Sequence, residues 1–543
     1  MSAVAERILR LEALEDDSTD VRPGAPPEWY GLVLAVVAVV VVLAVGLYID
    51  FHKSIWLDEA YSLNTATRPL GEVFHRALYF ELQAPLYFVA IHFWSKISAS
   101  IEFVRVFSTL CAAATAWTLY RLSRLLLPRR TWLSLALLGA CCSQLLWAAS
   151  EARDYALTLL LMTLVLWLFA RIWLAGSERP WRDGVLYVLV GYAAMLNMYY
   201  TGFLLASLFI VALMDGAARR TLIVTHAALA ALMLPWMPVV LRQIGLHPHN
   251  TEPAGGVSLS AVHGLLGTAR WAATTLFGAV LRGTGEFVLR PPVLLFLAAL
   301  LIGTIVARRA WRAASWTRGE IAIAGSTAIT AGILLVLRYF NLTLVNQSKW
   351  VIIVPGVLAL LAVAVGNVPS PRAARALAVG YTAFFALAAV SYERTCALVC
   401  STADWPEVAT YLKGAAQPGE PIIFAWSYDA LPFTYYFGES ASVRAVSHAE
   451  PWLAPDWWAA LARDTPAQAR VFGDSLPAVV GPAPSAWLVG WHQRASEPTP
   501  SSLVERYADS AYTVLARFEF GHRPGRDTPW LSVTHIGAPA GRP

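Results

Sequence analysis

About eleven apolar stretches occur along the chain, each close to the length that a helix needs to cross a membrane. Hydrophobic residues make up 57% of the 543 residues and charged residues only 14%, which is too few charges to cover the surface of a water-soluble protein. We therefore expect an α-helical polytopic membrane protein, and several soluble domains, a fibrous protein or a disordered chain are excluded. The predicted spans are residues 32–48, 101–120, 131–149, 155–174, 184–199, 201–214, 221–241, 292–307, 320–337, 350–366 and 374–391.

Five clusters of arginine lie between these stretches and indicate the orientation of the chain. If the polar tail at residues 1–28 is cytoplasmic, every cluster falls in a cytoplasmic loop, as the positive-inside rule requires. This placement accounts for much of the basic bias behind the net charge of +5, so no nucleic-acid partner is needed to explain it. The clusters comprise Arg121, Arg124, Arg129 and Arg130; Arg171, Arg179 and Arg182; Arg219 and Arg220; Arg308, Arg309, Arg312 and Arg318; and Arg372 and Arg375.

Two further apolar segments, Pro85–Ile97 and Ser258–Leu281, are predicted to stay on the outer side. Counting Pro85–Ile97 as a span would place the first arginine cluster outside, so we interpret it as an amphipathic helix in the outer interface. The membrane domain then covers residues 29–391. Its outer loops are residues 50–100, the surroundings of 151–154, residues 242–290 and residues 338–349.

Residues 392–543 are predicted to form a small α/β domain on the outer side. The domain shows no Gly-rich phosphate loop and no metal-ligand spacing, which favours a structural or acceptor-docking role over chemistry. Cys396 and Cys400 could form a disulfide if that side is oxidising, or remain free thiols. The predicted helices are Asp404–Lys413 and Ser501–Asp509, and the predicted strands are Pro421–Ala425, Trp487–Trp491, Thr513–Phe520 and Leu531–Ile536.

The first outer loop carries two adjacent carboxylates, Asp58 and Glu59, in an apolar and aromatic context. Desolvation there would raise a carboxyl pKa toward the working pH and suit a general base. The alternative is a helix cap or an interface anchor. The pair could also hold a divalent cation, although two adjacent carboxylates are a weak metal pattern. Further along the same loop, Glu81, Gln83 and Tyr87 are candidate site residues.

The second outer loop carries Arg153 between Glu151 and Tyr155. An arginine at the mouth of a helical bundle suits a phosphate, because its planar fork stays charged and binds bidentately. The alternative is a salt bridge to Glu151 or Asp154. Further candidate residues at the same face are Arg338, Tyr339 and Lys349. The two cations among them could instead be anchors at the membrane interface. Such a set suits a substrate with an apolar tail, a phosphate and a polar head, as in a lipid-phosphate sugar.

Three motifs in these loops, Trp56–Tyr61, Glu81–Tyr87 and Glu151–Ala156, resemble the GT-C membrane glycosyltransferases. The similarity is to the bacterial branch related to protein O-mannosyltransferases and the lipid A aminoarabinose transferase. Arg338-Tyr339, Asp404-Trp405 and Gln417–Glu420 also resemble that branch, so the resemblance covers nearly the whole chain.

The resemblance implies transfer of a sugar from a polyprenyl-phosphate donor to a glycan, lipid or protein acceptor outside a bacterial cytoplasmic membrane. It implies that Asp58 acts as, or positions, the base, that Glu59 completes the pair and that Glu81 is a second acidic position. Arg153 matches a position suited to the donor phosphate, and Arg338 is a further candidate. Direct displacement would invert the anomeric centre, and Mg²⁺ or Mn²⁺ is a possible cofactor held by Asp58 and Glu59.

The chain also departs from that family. Gln83-Ala84-Pro85 replaces the common His-Pro-Pro, which removes a possible metal ligand or proton carrier. Trp457-Trp458 lacks the following aspartate of the oligosaccharyltransferase motif, so transfer of a preassembled glycan to asparagine is not expected.

Two other functions remain open from the sequence. A transporter or flippase for a lipid-linked amphiphile would place polar residues near the bilayer midplane, and the spans here show little of that. A scaffold that only binds lipid-linked sugar is disfavoured because Asp58, Glu59 and Arg153 are all present.

Overall fold

The computed structural model describes residues 28–126, 142–215, 219–246, 300–302, 304, 318–339, 347–366, 368, 370–392, 404–427, 429–447, 475–492, 500–522 and 529–539. Up to residue 392 the regular structure in these ranges is helical. The helices are α1 (Glu28–His52), α2 (Leu57–Ala66), α3 (Leu70–Tyr79), α4 (Leu86–Ser95), α5 (Ile101–Leu126), α6 (Ser143–Ala149), α7 (Tyr155–Phe169), α8 (Pro180–Asn197), α9 (Thr201–Asp215), α10 (Arg219–Met233), α11 (Met237–Leu246), α12 (Arg318–Tyr339), α13 (Val354–Gly366) and α14 (Pro371–Tyr392). A π-helical turn, Ala170–Leu174, extends α7, and a 3₁₀ helix, Gln347–Ile353, leads into α13.

Seven helical segments in the described ranges are long and apolar enough to cross a membrane, and each coincides with a predicted span. A helix suits this environment because it satisfies its backbone hydrogen bonds internally. Two other predicted spans, 184–199 and 201–214, correspond to α8 and α9. The last two, 131–149 and 292–307, fall largely outside the described residues. The seven segments are Trp29–His52, Ile101–Leu126, Tyr155–Leu174, Arg220–Ile244, Ile321–Tyr339, Ser348–Gly366 and Pro371–Ser391.

Small residues allow close helix packing in the bundle. A Cβ atom on Gly46 of α1 would lie 2.7 Å from Oγ1 of Thr109 on α5. On α8, a Cβ on Gly191 would lie 3.2 Å from the side chain of Leu229 on α10. Such glycines let backbones approach and maximise van der Waals contact, which drives helix association in lipid.

Helices α2, α3 and α4 fill the predicted first outer loop and pack over one end of the bundle. The segment predicted as an amphipathic helix at Pro85–Ile97 forms α4, which is apolar over most of its length, and its buried residues include Tyr87 and Ile91, which pack with Ile55 and Ala60. Helix α3 is a separate amphipathic helix that the sequence analysis did not distinguish. The loop is therefore a packed layer of three short helices.

The C-terminal segment forms the predicted small α/β domain. Its elements are α15 (Trp405–Ala415), β1 (Ile422–Trp426), α16 (Ala430–Phe437), β2 (Val443–Ser447), β3 (Ala486–Trp491), α17 (Pro500–Ala511), β4 (Tyr512–His522) and β5 (Pro529–Pro539). The strand order is β2-β1-β3-β5-β4, with β2, β1 and β3 parallel and β5 antiparallel to both β3 and β4. Both predicted helices and all four predicted strands are present, whereas α16 and β2 were not predicted.

Each face of the sheet is covered by a separate apolar cluster. On one face, Trp405 and Leu412 of α15 pack with Phe424 and Phe433. The other face includes Ile423, Val504 and Ala508, together with Tyr61 from α2. The C-terminal domain thus packs directly on the first-loop helices.

Several predictions lie outside the described residues. These are the tail at residues 1–27, the segment Ser258–Leu281, the pair Cys396 and Cys400, and Trp457-Trp458.

Candidate active site

Three predicted charged residues, Asp58, Glu81 and Arg153, lie together at the end of the bundle that carries α2. Nη2 of Arg153 is 3.9 Å from Oδ2 of Asp58, and Nη1 is 3.7 Å from Oε2 of Glu81. Nη1 also donates to the Asp58 carbonyl at 3.2 Å and to the Ser62 hydroxyl at 3.1 Å. The side chain of Asp58 is 39% exposed, whereas those of Arg153 and Glu81 are 8% and 6% exposed. Asp58 is therefore the accessible one of the two acids.

The turn between α6 and α7 fixes the position of Arg153. The amide of Arg153 donates to the Glu151 carbonyl at 2.8 Å, and that carbonyl also accepts a hydrogen bond from Ser108 of α5 at 2.6 Å. One residue later, the Asp154 carbonyl accepts from Nδ2 of Asn197 on α8 at 3.0 Å. Helices α5 and α8 thus both bind this short turn, which fixes the backbone that carries the Arg153 guanidinium.

Glu59 is fully buried and faces away from its predicted partner Asp58. Its carboxylate accepts hydrogen bonds from Nε and Nη2 of Arg105 at 2.9 and 2.6 Å. The amides of Ala152 and Trp56 donate to it at 2.9 and 3.3 Å. Burial by itself would raise the pKa of Glu59, but the charges of Arg105 and Lys53 lower it below its ordinary range. Glu59 therefore joins α2, α5 and the Arg153 turn.

Arg105 was missed by the sequence analysis. All five of its N–H groups are used: the two bonds to Glu59, two from Nη1 to the carbonyls of Asp50 and Lys53, and one from Nη2 to the carbonyl of Ser54. The signal that could have found it is an arginine inside an apolar stretch, which marks a functional or structural site in a membrane protein.

Glu151 is held by a different cation from the one considered in the sequence analysis. Nζ of Lys53 lies 2.5 Å from Oε1 of Glu151, and Nε1 of Trp56 donates to Oε2 at 2.6 Å. Arg153 forms its ion pairs with Asp58 and Glu81, which are not the partners that the alternative named. Lys53 is a second cation that the sequence analysis missed, at the end of the first span.

Glu81 follows α3 at an unusual backbone turn. Leu82 has a positive φ of 51°, a conformation that residues other than glycine adopt rarely. The Glu81 carboxylate accepts a hydrogen bond from the Thr65 hydroxyl at 2.8 Å. Burial raises the pKa of Glu81, because it outweighs the opposing effect of Arg153. The geometry keeps a carboxyl group with a raised pKa next to the arginine.

The remaining predicted residues lie on several other elements. Nζ of Lys349 is 5.9 Å from the ring centroids of both Tyr155 and Tyr200, within cation–π range. Tyr87 is buried among the apolar residues beneath α2. The carbonyl of Gln83 lies 3.5 Å from Nε2 of Gln243 on α11. Arg338 and Tyr339 form the last turn of α12 and are partly buried.

The predicted cation site on Asp58 and Glu59 does not fit this arrangement. Both oxygens of Glu59 already accept hydrogen bonds from Arg105, which leaves Asp58 as the single open ligand of the pair. Within the described ranges there is no cluster of three or more histidine, cysteine, aspartate or glutamate residues that could hold a metal ion.

Comparison with known proteins agrees with this architecture. The chain superposes on the crystal structure of ArnT from Cupriavidus metallidurans in the apo state, with a TM-score of 0.56 and 12% identity over 93% of this chain and 97% of that chain. The chain has the GT-C fold. The crystal structure of the same ArnT bound to undecaprenyl phosphate superposes with a TM-score of 0.55, 13% identity and the same coverage.

Residues 83–241 match the family model described as dolichyl-phosphate-mannose-protein mannosyltransferase. No curated protein matches the sequence. The matched segment contains Arg105, Glu151 and Arg153, and it begins just after Glu81. The resemblance to GT-C polytopic membrane glycosyltransferases is thereby confirmed.

Proposed function

We propose that this chain is a membrane glycosyltransferase that transfers a sugar from a polyprenyl-phosphate donor to an acceptor hydroxyl outside the membrane. The observation that carries the proposal is the accessible carboxylate of Asp58 beside the buried guanidinium of Arg153. A base and a phosphate-binding cation are the two groups that the reaction needs. ArnT, whose fold this chain shares, has been crystallised with undecaprenyl phosphate, which supports a polyprenyl-phosphate donor.

Arg153 is suited to the phosphate because it is buried and rigidly held. Charge–charge interactions are strengthened where water is excluded, and a preorganised cation needs no reorientation as charge develops. Burial lowers the pKa of Arg153, but the nearby acids, Asp58 first, more than compensate and hold it well above its ordinary value, so the guanidinium stays charged. Lys349 and Arg338 are further candidates for phosphate contacts.

Glu81 has a different role in this proposal. Its carboxyl group lies 3.7 Å from Nη1 of Arg153, and burial raises its pKa above the ordinary range. Because the Glu81 carboxyl group occupies one side of the guanidinium, the donor phosphate can approach Arg153 from one direction only. Gln83, Tyr87 and Tyr155 support the site from the layers around it, and Glu59 and Glu151 act by holding α2 and the Arg153 turn.

The reaction is a single displacement. The acceptor hydroxyl gives its proton to Asp58 and forms a bond to the anomeric carbon, while the bond from that carbon to the phosphate oxygen breaks. The polyprenyl phosphate leaves with the bonding electrons, and Arg153 stabilises its charge. A single displacement inverts the anomeric centre. The acceptor is a glycan, a lipid or a protein hydroxyl.

We further propose that the protein lies in a bacterial cytoplasmic membrane with its N-terminus inside. Helix α7 supports this orientation, since it runs from the Arg153 end of the bundle toward Arg171 at the other end. Arginines accumulate at that second end, as expected for a cytoplasmic face. Reporters fused after residue 130 and after residue 391 should report opposite sides, and reports from the same side would contradict the orientation.

The function is tested by reconstitution in liposomes with a panel of polyprenyl-phosphate sugars and candidate acceptors. We expect transfer by the wild type and by Glu72→Gln, and its loss in Asp58→Asn. Glu72 is a matched control because it lies on the same loop and is exposed beside Arg68. Translocation of a lipid-linked sugar without transfer would refute the proposal and indicate a flippase.

A further inference from the structure

Helix α16 of the C-terminal domain contacts the first outer loop through two consecutive tyrosines. The amide of Ile55 donates a hydrogen bond to the hydroxyl oxygen of Tyr436 at 2.9 Å. The amide of Ile101 donates to the hydroxyl oxygen of Tyr435 at 2.9 Å. The two rings are 4.9 Å apart and perpendicular, so each supports the other.

These two amides lie at, or just before, the first residues of α5 and α2, two helices that build the site. Ile55 lies between Ser54, whose carbonyl binds Arg105, and Trp56, which precedes the first residue of α2. Ile101 is the first residue of α5, the helix that carries Arg105. Since the first amides of a helix have no acceptor within the helix, the Tyr435 hydroxyl supplies one that the fold needs.

Apolar contacts from the C-terminal domain also hold helix α2. Leu57 and Tyr61, on either side of Asp58, pack with Trp426 and Ile423 of the C-terminal sheet. On the opposite side Ala60 packs with Ile55 in the layer above the bundle. Helix α2 is thus enclosed between the bundle and the C-terminal domain, and Asp58 remains partly exposed at the edge of this layer.

We propose that Tyr435 and Tyr436 are positioning residues for the reaction, and that the C-terminal domain acts through their hydroxyls to hold Asp58 in line with Arg153. The two hydroxyls bind the backbone amides of Ile55 and Ile101. Each fixes a backbone segment, and Glu59 and Arg105 transmit that constraint to α2. The inference rests on the proposed function for the role of Asp58, but the structural coupling is independent of that role.

The test replaces one hydroxyl at a time, with Tyr436→Phe, Tyr435→Phe and, as the matched control, Tyr411→Phe. Phenylalanine keeps the ring and removes the acceptor of a buried amide. The control tyrosine belongs to the same domain and packs on Trp487 and Phe518. In the reconstituted assay we expect kcat to fall on the order of 10-fold in Tyr436→Phe, with KM for the donor changed less than about twofold. The control should keep both constants.

A combined variant separates positioning from general stability. If Tyr436 acts through Asp58, adding Tyr436→Phe to Asp58→Asn should lower the residual rate by less than about twofold. A full 10-fold additional loss, or an unchanged kcat in both single variants, would overturn the proposal.

Hydrogen exchange supplies a readout that does not need activity. Amide exchange across residues 55–66 should speed up in Tyr436→Phe and stay unchanged in Tyr411→Phe. Faster exchange in a protein that shows no transfer would refute the proposed function and leave the coupling intact. Unchanged exchange in Tyr436→Phe would refute the coupling, whatever the activity.

Discussion

Removing the charge of Glu59 is predicted to destabilise the protein strongly, although the substitution Glu59→Gln changes no volume. The carboxylate is fully buried and accepts four hydrogen bonds, two of them from Arg105. An amide at this position offers only one acceptor oxygen. Its NH₂ group would place N–H donors against the N–H donors that now bind the carboxylate. Arg105 is then left as a buried charge without its counter-ion.

Breaking a buried pair by removing one partner costs about 3–5 kcal/mol. The exposed pair of Arg68 and Glu72, with atoms 3.9 Å apart, should be worth less than about 1 kcal/mol. We therefore expect Glu59→Gln to lose several times more stability than the matched control Glu72→Gln, and to lose it together with activity, because α2 is released from α5.

The assay is unfolding of the detergent-solubilised protein by heat or denaturant, with Glu59→Gln, Glu72→Gln and Arg105→Met compared under identical conditions. The double variant Glu59→Leu with Arg105→Met should lose less stability than the sum of Glu59→Leu and Arg105→Met, since neither charge is then left alone. Equal losses in Glu59→Gln and Glu72→Gln, or strict additivity in the double variant, would refute this account of the buried pair.

Three other predictions concern separate parts of the molecule. Arg153→Lys should lower kcat/KM for the donor by about tenfold or more, because a lysine cannot reproduce the bidentate fork; unchanged donor kinetics would contradict the phosphate role. Burial raises the pKa of Asp429 to about 8, so the folded state loses stability as pH rises from the ordinary aspartate pKa toward 8. Asp429→Asn should remove that loss, and thermal unfolding of wild type and variant at pH 5 and pH 8 would show it; parallel pH dependences would refute it. Gly46→Ala should destabilise the packing of α1 on α5, since its Cβ would lie 2.7 Å from Thr109, and an unchanged unfolding temperature would argue against that contact.

Local patterns were sufficient to predict much of the fold. Apolar stretches determine where helices cross a membrane, and the segments that became α1, α5, α7 and α12–α14 could be recognised by composition alone. The proximity of Asp58 and Arg153 followed from topology, because the loops that carry them emerge at the same end of the bundle.

Pairings between distant residues could not be predicted in this way. Glu59 and Arg105 are 46 residues apart, and nothing in the motif around Glu59 distinguishes a catalytic carboxylate from a buried structural one. The left-handed backbone at Leu82 has no sequence signal, since the residue is not a glycine. Helix α16 was missed because an eight-residue helix with a proline in its first turn has little periodicity to detect.

The central claim is that Asp58 takes the acceptor proton in a single displacement. Single-turnover transfer from a pre-bound polyprenyl-phosphate sugar, with the anomeric configuration of the product read by NMR, tests it most directly. The account predicts an inverted product and a rate that falls by about 10²–10⁴-fold in Asp58→Asn, with donor binding unchanged. A retained configuration, or a wild-type rate in Asp58→Asn, would contradict it.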